Sequence, residues 1–169
     1  MKEEIVNRVA DSKLVTIDLE EFYPEGKRIV IDISEWLYEG IILKEKDFRK
    51  AIQQHNWSQY KDNYIALTCT TGAIIPSWAY LLITTQLGLF AKKIVVGDVA
   101  LLETVIFQDI ISNLSLDNCK DRPVIIKGCS KKPIPETATV QLVKKLLPIA
   151  NAIFFGEACS TVPLFKRKK

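Results

Sequence analysis

Three of the four cysteines have positions that suggest shared chemistry. Cys69, Cys129 and Cys159 each come at or just beyond the end of a short apolar run that is typical of a β-strand. The interval from Cys69 to Cys129 is twice the interval from Cys129 to Cys159. One strand–helix–strand unit takes about 30 residues, so the intervals correspond to two units and to one unit. The pattern therefore predicts that the cysteines follow the strands of a repeating α/β arrangement.

The strand between Cys69 and Cys129 ends in an acid rather than in a thiol. Asp98 follows the run Val95-Val-Gly97 and comes about one such unit after Cys69. Four successive strand ends thus carry Cys, Asp, Cys and Cys. In a parallel sheet those ends share one edge, where open α/β proteins usually bind their ligands. We expect the four residues to line one edge.

The residues that follow each cysteine favour a reactive thiol. A hydroxyl residue comes next each time, and a proline suited to a helix start or a rigid turn comes shortly after it, at Pro76, Pro135 or Pro163. A thiol near the N-terminus of a helix tends towards the thiolate. Three converging thiolates would repel one another unless a cation neutralised them, and a bound metal does so. The sequence therefore indicates a metal site.

Two kinds of metal centre fit three cysteines. Zinc would take the three thiolates and one oxygen or nitrogen ligand. An iron–sulfur cluster held by three cysteines would keep one iron open. The candidates for a fourth ligand are Asp98, Glu157 and His55. His55 is the only histidine and falls at the end of a predicted helix, where a solvated helix cap is the competing role.

Two other interpretations of the cysteines stay open. Cys129 could be the nucleophile of a thiol-dependent enzyme, because Gly128 and the following helix would expose and activate it. Alternatively, the thiols could be packed as small apolar groups in a non-catalytic interaction module. Cys119, in the polar stretch 117–121, is interpreted as incidental. No Cys-x-x-Cys pair and no glycine-rich phosphate loop is present in the sequence.

The elements that would position these residues alternate regularly from residue 44 onward. Strands of uniformly apolar character alternate with helices of about 10–15 residues, which is typical of a parallel sheet covered on both faces. We predict an α/β fold with one mostly parallel sheet of about five strands flanked by helices. The predicted helices are 44–55, 76–87, 99–114 and 135–147, and the predicted strands are 64–68, 93–96, 124–126 and 153–155.

The length of 169 residues favours a single domain, with residues 1–43 as an N-terminal extension packed on it. Within that extension, Ile17 to Gly26 weakly resembles Ile31 to Gly40, and both stretches predict a short strand ending at an aspartate. The formal net charge is +3, but residues 166–169 carry four positive charges and predict a disordered basic tail. The remaining chain is nearly neutral, which argues against a nucleic-acid partner.

Neither a membrane-spanning run nor a signal peptide is recognisable. We therefore expect a cytoplasmic protein that has no membrane partner. In the cytosol the four cysteines would be reduced thiols, metal ligands or catalytic groups rather than disulfides.

Eight segments together resemble a bacterial family of unknown function, family 2480, found mainly in Bacteroidetes. They include Ile125-Ile-Lys-Gly-Cys-Ser130 and Phe155-Gly-Glu-Ala-Cys-Ser-Thr-Val-Pro163, which carry two of the three cysteines. The others are 4–10, 18–26, 36–40, 44–49, 55–60 and 75–80. The family has no established activity. The resemblance implies genes close to those of iron–sulfur assembly, which favours a cluster or iron over zinc. It also implies iron–sulfur assembly proteins as partners.

Overall fold

The computed structural model describes residues 14–128, 131–157 and 160–168. They form seven strands and four helices. The strands are β1 (Val15–Ile17), β2 (Arg28–Asp32), β3 (Tyr64–Thr68), β4 (Lys93–Val96), β5 (Pro123–Ile126), β6 (Ala152–Glu157) and β7 (Ser160–Lys166). The helices are α1 (Glu45–Gln54), α2 (Ser77–Leu87), α3 (Val99–Asn113) and α4 (Glu136–Leu146).

The α/β class and the mostly parallel pairing are confirmed, but two sheets replace the expected single sheet of about five strands. The described strands form one four-stranded sheet in the order β1-β5-β6-β7 and one three-stranded sheet in the order β2-β3-β4. All the pairs are parallel except β6 with β7. Two sheets form because the two N-terminal strands take different partners. Strand β1 pairs with β5, whereas β2 pairs with β3. Each short strand thus joins its own sheet.

The chain divides into two compact units that follow the two sheets. The first unit combines the residues up to Tyr23 with those from Phe107 onward, and the second unit is Pro24–Ile106. Each has its own apolar core, around Phe107 and Ile126 in the first unit and around Phe48 and Leu67 in the second. All four of these side chains are fully buried.

The two units repeat one another in a register that aligns Pro76 with Pro135, called the repeat register below. Helices α2 and α4 have 11 residues each, and they begin after these two prolines. The aligned residues Asp62 and Asp121 lie shortly before β3 and β5, and both have positive φ, of 61° and 54°. The amide of Asp62 donates to the carbonyl of Phe90, and that of Asp121 donates to the equivalent carbonyl of Ile149. The same local structure is therefore built twice.

The resemblance between residues 17–26 and 31–40 corresponds to a real structural match. Asp18 follows β1 and accepts a hydrogen bond from the Glu20 amide at 2.9 Å. Asp32 ends β2 and accepts one from the Ser34 amide at 3.0 Å. Each carboxylate caps a short 3-10 turn, because its side chain satisfies an amide that would otherwise lack a partner. The described part of each unit therefore starts with a strand, an aspartate and a 3-10 turn.

Lys166 and Arg167, the first two residues of the predicted basic tail, have partners in the first unit. Lys166 ends β7 and pairs with Ala152 of β6. The Arg167 amide donates to the Asn151 carbonyl at 2.8 Å, and its guanidinium donates to the Pro148 carbonyl at 2.7 Å. The prediction of a tail interpreted the positive charges as solvated and did not recognise the strand β7, which pairs at the edge of the sheet. None of the helices in the described part of the chain has the length and apolar character needed to cross a bilayer.

Candidate functional site

The predicted ligands that follow described strands belong to two different sheets. Cys69 follows β3 and Asp98 follows β4, and these two strands are neighbours in the second unit. Glu157 is the last residue of β6, which pairs with β5 in the first unit. Cys129 and Cys159 lie outside the described residues. Because β3 and β5 belong to different sheets, the premise of four successive strand ends in one sheet is corrected.

The spacing between Cys69 and Cys129 also differs from the period of the structural repeat. In the repeat register, position 129 corresponds to Thr70 and position 128 corresponds to Cys69. Cys69 and Cys129 are therefore not aligned with each other in this register. The spacing that suggested a shared site differs by a single position from the true period of the fold.

His55 lies in an aromatic cluster at the end of α1. Its Nε2 is 2.9 Å from the Tyr60 hydroxyl, and its ring stacks on that of Tyr60 with an angle of 13° between the planes. The rings of Trp36 and Trp57 lie 5.3 Å and 4.6 Å from it, centroid to centroid. Burial lowers the pKa of His55, against an opposing effect of Glu35. His55 is the C-cap residue of α1, and its amide donates to the Ala51 carbonyl at 3.0 Å. Its ring, however, is half-buried in the aromatic cluster rather than solvated.

Asp98 and Cys69 have local partners at the edge of the second sheet. Asp98 Oδ1 accepts a hydrogen bond from the Leu101 amide at 2.8 Å, which caps the start of α3. Cys69 is half-buried, and its Sγ lies 3.4 Å from the Thr71 hydroxyl. Within the described ranges, no group of three or more His, Cys, Asp or Glu side chains is arranged to hold a metal ion.

The main polar contact at this edge joins Asp32 to Thr70. Asp32 Oδ2 accepts a hydrogen bond from the Thr70 hydroxyl, and Oδ1 accepts from the Thr70 amide at 3.2 Å. Burial alone would raise the pKa of Asp32, but the hydrogen bonds from Thr70 and Ser34 outweigh it and lower the pKa to about 2. Asp32 is therefore a fixed anion that holds the loop after β3 against the end of β2.

The corresponding edge of the first sheet is charged. Lys127 Nζ lies 2.6 Å from Asp18 Oδ2, with side chains 34% and 14% exposed. The hydrogen bond between them lowers the pKa of Asp18 and raises that of Lys127. Glu20 accepts hydrogen bonds from the amides of Lys131 and Lys132, the latter at 2.9 Å. These contacts fasten the loop after β5 to the turn after β1.

A cavity of about 210 Å³ opens between these groups. Nine residues from β6, α4 and the segments that follow β1 and β5 form its wall: Asp18, Leu19, Glu20, Lys127, Gly128, Ile134, Glu136, Thr139 and Phe155. It therefore lies at the carboxyl edge of the parallel strands, which is the usual ligand position in open α/β sheets.

Gly128 brings the ends of β5 and β6 into close contact. A Cβ atom at this position would lie 3.1 Å from the Phe155 ring and 3.3 Å from the Gly156 Cα. Only glycine fits without displacement, since such distances are shorter than ordinary van der Waals contacts. The residue immediately before Cys129 thus touches the strand that leads to Cys159.

Sequence reasoning missed Lys127, Glu20 and Thr139 as lining residues, and it identified Asp18 only as the end of a predicted strand. A signal did exist, because Lys127 directly follows the strand at the predicted ligand edge and directly precedes Gly128. Its partner Asp18 lies 109 residues away, and no local pattern could connect the two.

The fold and this edge define an α/β protein of two units with mostly parallel sheets, and a charged cavity lies at the carboxyl edge of one of them. The chain belongs to DUF2480, a family of proteins of unknown function, whose profile matches residues 3–167. Neither a curated protein nor a solved structure matches the chain.

Proposed function

We propose that the chain binds a metal ion or an iron–sulfur cluster through Cys129 and Cys159, as an accessory factor in cytoplasmic iron–sulfur cluster assembly. The observation that supports the proposal is the close approach of Gly128 and Gly156 at the ends of neighbouring strands. Metal-bound sulfurs must lie within roughly 4 Å of each other, given metal–sulfur distances of about 2.3 Å. Cys129 and Cys159 follow the two strands that approach each other at Gly128 and Gly156, which supports the proposal.

The charges around this edge are compatible with a thiolate site. Lys127 is two residues from Cys129 and carries a positive charge that would favour ionised thiols. Glu157 is close enough to influence the pKa of Lys127, which is raised mainly by Asp18. Because Glu157 lies two residues before Cys159, it is the preferred fourth ligand on this proposal. Asp98 and His55 are less suitable, since one caps a helix and the other is held by Tyr60.

The proposal treats Cys69 separately from the other two cysteines, because it follows a strand of the second sheet. A three-cysteine site needs it as a ligand, whereas a two-cysteine site does not. Metal analysis of single variants distinguishes the two cases, with Cys119→Ala as the control because Cys119 is buried in the core of the first unit. The partner class on this proposal is an iron–sulfur assembly protein that delivers or receives the cluster.

The test is elemental analysis and absorption spectroscopy of protein purified without oxygen. We expect bound iron or zinc in the parent, its loss in Cys129→Ser and Cys159→Ser, and its retention in Cys119→Ala. Loss in Cys69→Ser as well would establish the three-cysteine form. Metal-free parent protein, purified without oxygen and not reconstituted by added iron and sulfide or by zinc, would overturn the proposal.

A thiol-dependent enzyme is the second candidate, because Lys127 and the cavity adjoin the position of Cys129 in the chain. A nearby ammonium group lowers the pKa of a thiol and raises the thiolate fraction at neutral pH. This candidate predicts rapid alkylation of Cys129 in metal-free protein near pH 7 and slower alkylation in Lys127→Met. Equal rates in the two proteins would remove it.

A further inference from the structure

The cavity of the first unit can be compared with the same place in the second unit, because the structural repeat supplies the equivalent residues. In the repeat register, Lys127 replaces Thr68 and Glu136 replaces Ser77. In the register that aligns Asp18 with Asp32, Glu20 replaces Ser34. Every charged lining residue except Asp18 is therefore uncharged in the other unit. These charges are therefore specific to the cavity of the first unit and are not a requirement of the repeated fold.

The size of the cavity also depends on residues that differ between the units. Thr139 lines it, and the equivalent residue in the second unit is Tyr80. Gly128 lines it where the second unit has Cys69, and the missing side chain leaves room for the Phe155 ring in the wall. A phenol at position 139 would occupy space that the threonine leaves open. Thr139 thus leaves open space for a ligand, and Gly128 makes room for the Phe155 ring that forms the wall.

Both signs of charge face this space. The Lys127 ammonium is fixed by Asp18 and has N–H groups to spare, since an ammonium has three donors. Glu136 begins α4 and has no ion-pair partner within the described ranges. The Thr139 hydroxyl can donate or accept a hydrogen bond. The three carboxylates in the wall, those of Asp18, Glu20 and Glu136, outnumber the one ammonium, so the space favours a ligand with a cationic group. The remaining N–H groups of Lys127 and the Thr139 hydroxyl supply donors for a carboxylate on the same ligand.

The volume restricts the ligand to a small molecule. A cavity of about 210 Å³ is on the order of seven water volumes of roughly 30 Å³ each. Pockets for drug-sized ligands begin at about 300 Å³, which is larger than this cavity. A nucleotide or a cofactor of similar size would extend beyond this cavity.

We infer that this cavity binds a small zwitterion of the α-amino-acid class. Its carboxylate contacts Lys127 and Thr139, and its ammonium group contacts Glu136. Glu20 does not contact the ligand directly but holds the loop at Lys131 and Lys132 that closes one side. The inference does not depend on a metal, because none of the described lining residues is a cysteine.

The test is calorimetric titration of the full chain with glycine, L-alanine and L-serine at millimolar concentrations. Acetate and ethylammonium serve as the two single-charge fragments. We expect at least one amino acid to bind about tenfold more tightly than either fragment. Binding of acetate or ethylammonium as tight as that of every amino acid would overturn the inference, and so would the absence of binding by all the amino acids.

Three variants assign the binding to this cavity. Thr139→Tyr, which introduces the side chain of the second unit, should abolish binding. Glu136→Gln should weaken it about tenfold by removing one charge contact. Its matched control is Ser77→Gln at the equivalent position of the second unit, which should bind like the parent. Binding by Thr139→Tyr equal to that of the parent would overturn the assignment.

The cysteine proposal fails separately from this inference. In Cys129→Ser/Cys159→Ser treated with a chelator, amino-acid binding should persist within about threefold of the parent. Loss of binding in that folded variant would contradict the inference, whatever the metal content of the parent.

Discussion

Gly97 and Gly156 occupy equivalent positions in the two units, and both have positive φ, of 147° and 121°. The atoms that a side chain would meet differ between them. A Cβ atom at Gly97 would lie 2.7 Å from the flexible end of Leu101, whereas one at Gly156 would lie 2.5 Å from the backbone oxygen of Ser160. A leucine side chain can rotate, but the backbone of the β6–β7 pair cannot move without breaking its hydrogen bonds.

We therefore expect Gly156→Ala to destabilise the chain more than Gly97→Ala. Both carry the cost of an unfavourable φ, about 1–3 kcal/mol. The close backbone contact should add at least about 1 kcal/mol at Gly156. Urea denaturation of the two variants measures the difference. Equal midpoints would show that the β6–β7 turn yields as easily as Leu101.

Asp32 and Thr70 should give the second unit an acid-dependent stability. The folded pKa of Asp32 is about 2, below the ordinary value of 3.8, so its contribution is present above about pH 4. That contribution is lost as the pH falls towards 2. Thr70→Val removes one hydrogen bond and raises the folded pKa, so we expect a loss of about 1 kcal/mol near pH 7. This loss should shrink as the pH falls and should disappear only below about pH 2, where Asp32 is protonated in the folded chain as well.

Thr71→Val is the matched control for this titration. Its hydroxyl donates to the Gly40 carbonyl at 2.6 Å and not to the carboxylate. The control should lose stability by a similar amount at both pH values. Chemical denaturation at pH 7 and at pH 2.5 separates the two behaviours, because the loss in Thr70→Val should fall to roughly half between them while that of the control stays constant. A pH-independent effect of Thr70→Val would contradict the assignment.

Arg28 and Glu103 form the most buried ion pair in the described part of the second unit. The Arg28 Nε lies 2.6 Å from Glu103 Oε1, with side chains 11% and 6% exposed. Arg28→Met leaves a carboxylate buried without this partner, so we expect a loss of about 3–5 kcal/mol. The double change Arg28→Met/Glu103→Met should recover part of that loss, because both charges are removed.

The exposed pair of Arg49 and Glu45 provides the comparison. These side chains are 51% and 63% exposed, and Arg49→Met should cost less than about 0.5 kcal/mol. Thermal denaturation of the three variants measures these effects. A double variant less stable than Arg28→Met alone would show that the glutamate is held mainly by other groups.

The elements of the fold can be predicted because each one has a local signal. The apolar runs between turns predict the strands Tyr64–Thr68 and Lys93–Val96 with their observed bounds. The division into two sheets cannot be predicted in this way, because it depends on which distant partner β1 and β2 pair with. A local pattern contains no information on that choice.

The candidate site can be located only in part, for the same physical reason. The carboxyl edge of the strands follows from their parallel order, and local signals place Asp18 and Asp32 at strand ends. The pairing of Asp18 with Lys127 arises only when β1 docks beside β5. Strand β7 cannot be predicted from the sequence, because Pro163 and the basic residues at the end of the chain are typical of an irregular tail.

Strand β7 gives a prediction that separates the effect of strand pairing from the effect of the basic charges. Removing residues 166–169 deletes the pairing of Lys166 with Ala152 and the hydrogen bonds of Arg167. We expect a loss of about 1–2 kcal/mol, which lowers the melting temperature by roughly 3–8 °C. Removing only residues 168 and 169 is the control and should change it little. Equal melting temperatures for the two truncations would show that Lys166 and Arg167 contribute nothing.

The two described cysteines should differ sharply in reactivity. Cys69 is half-buried at a strand end, whereas Cys119 is fully buried in the core of the first unit. Burial raises the pKa of the Cys119 thiol, against a smaller opposing effect of Arg122. In Cys129→Ser/Cys159→Ser, a thiol reagent should therefore label Cys69 at least about 100-fold faster than Cys119, which reacts only when the core opens. Mass spectrometry of the labelled peptides measures both rates, and in concentrated urea the two should converge. Comparable rates in the folded protein would contradict the burial of Cys119, and with it the packing of the 3-10 turn that precedes β5.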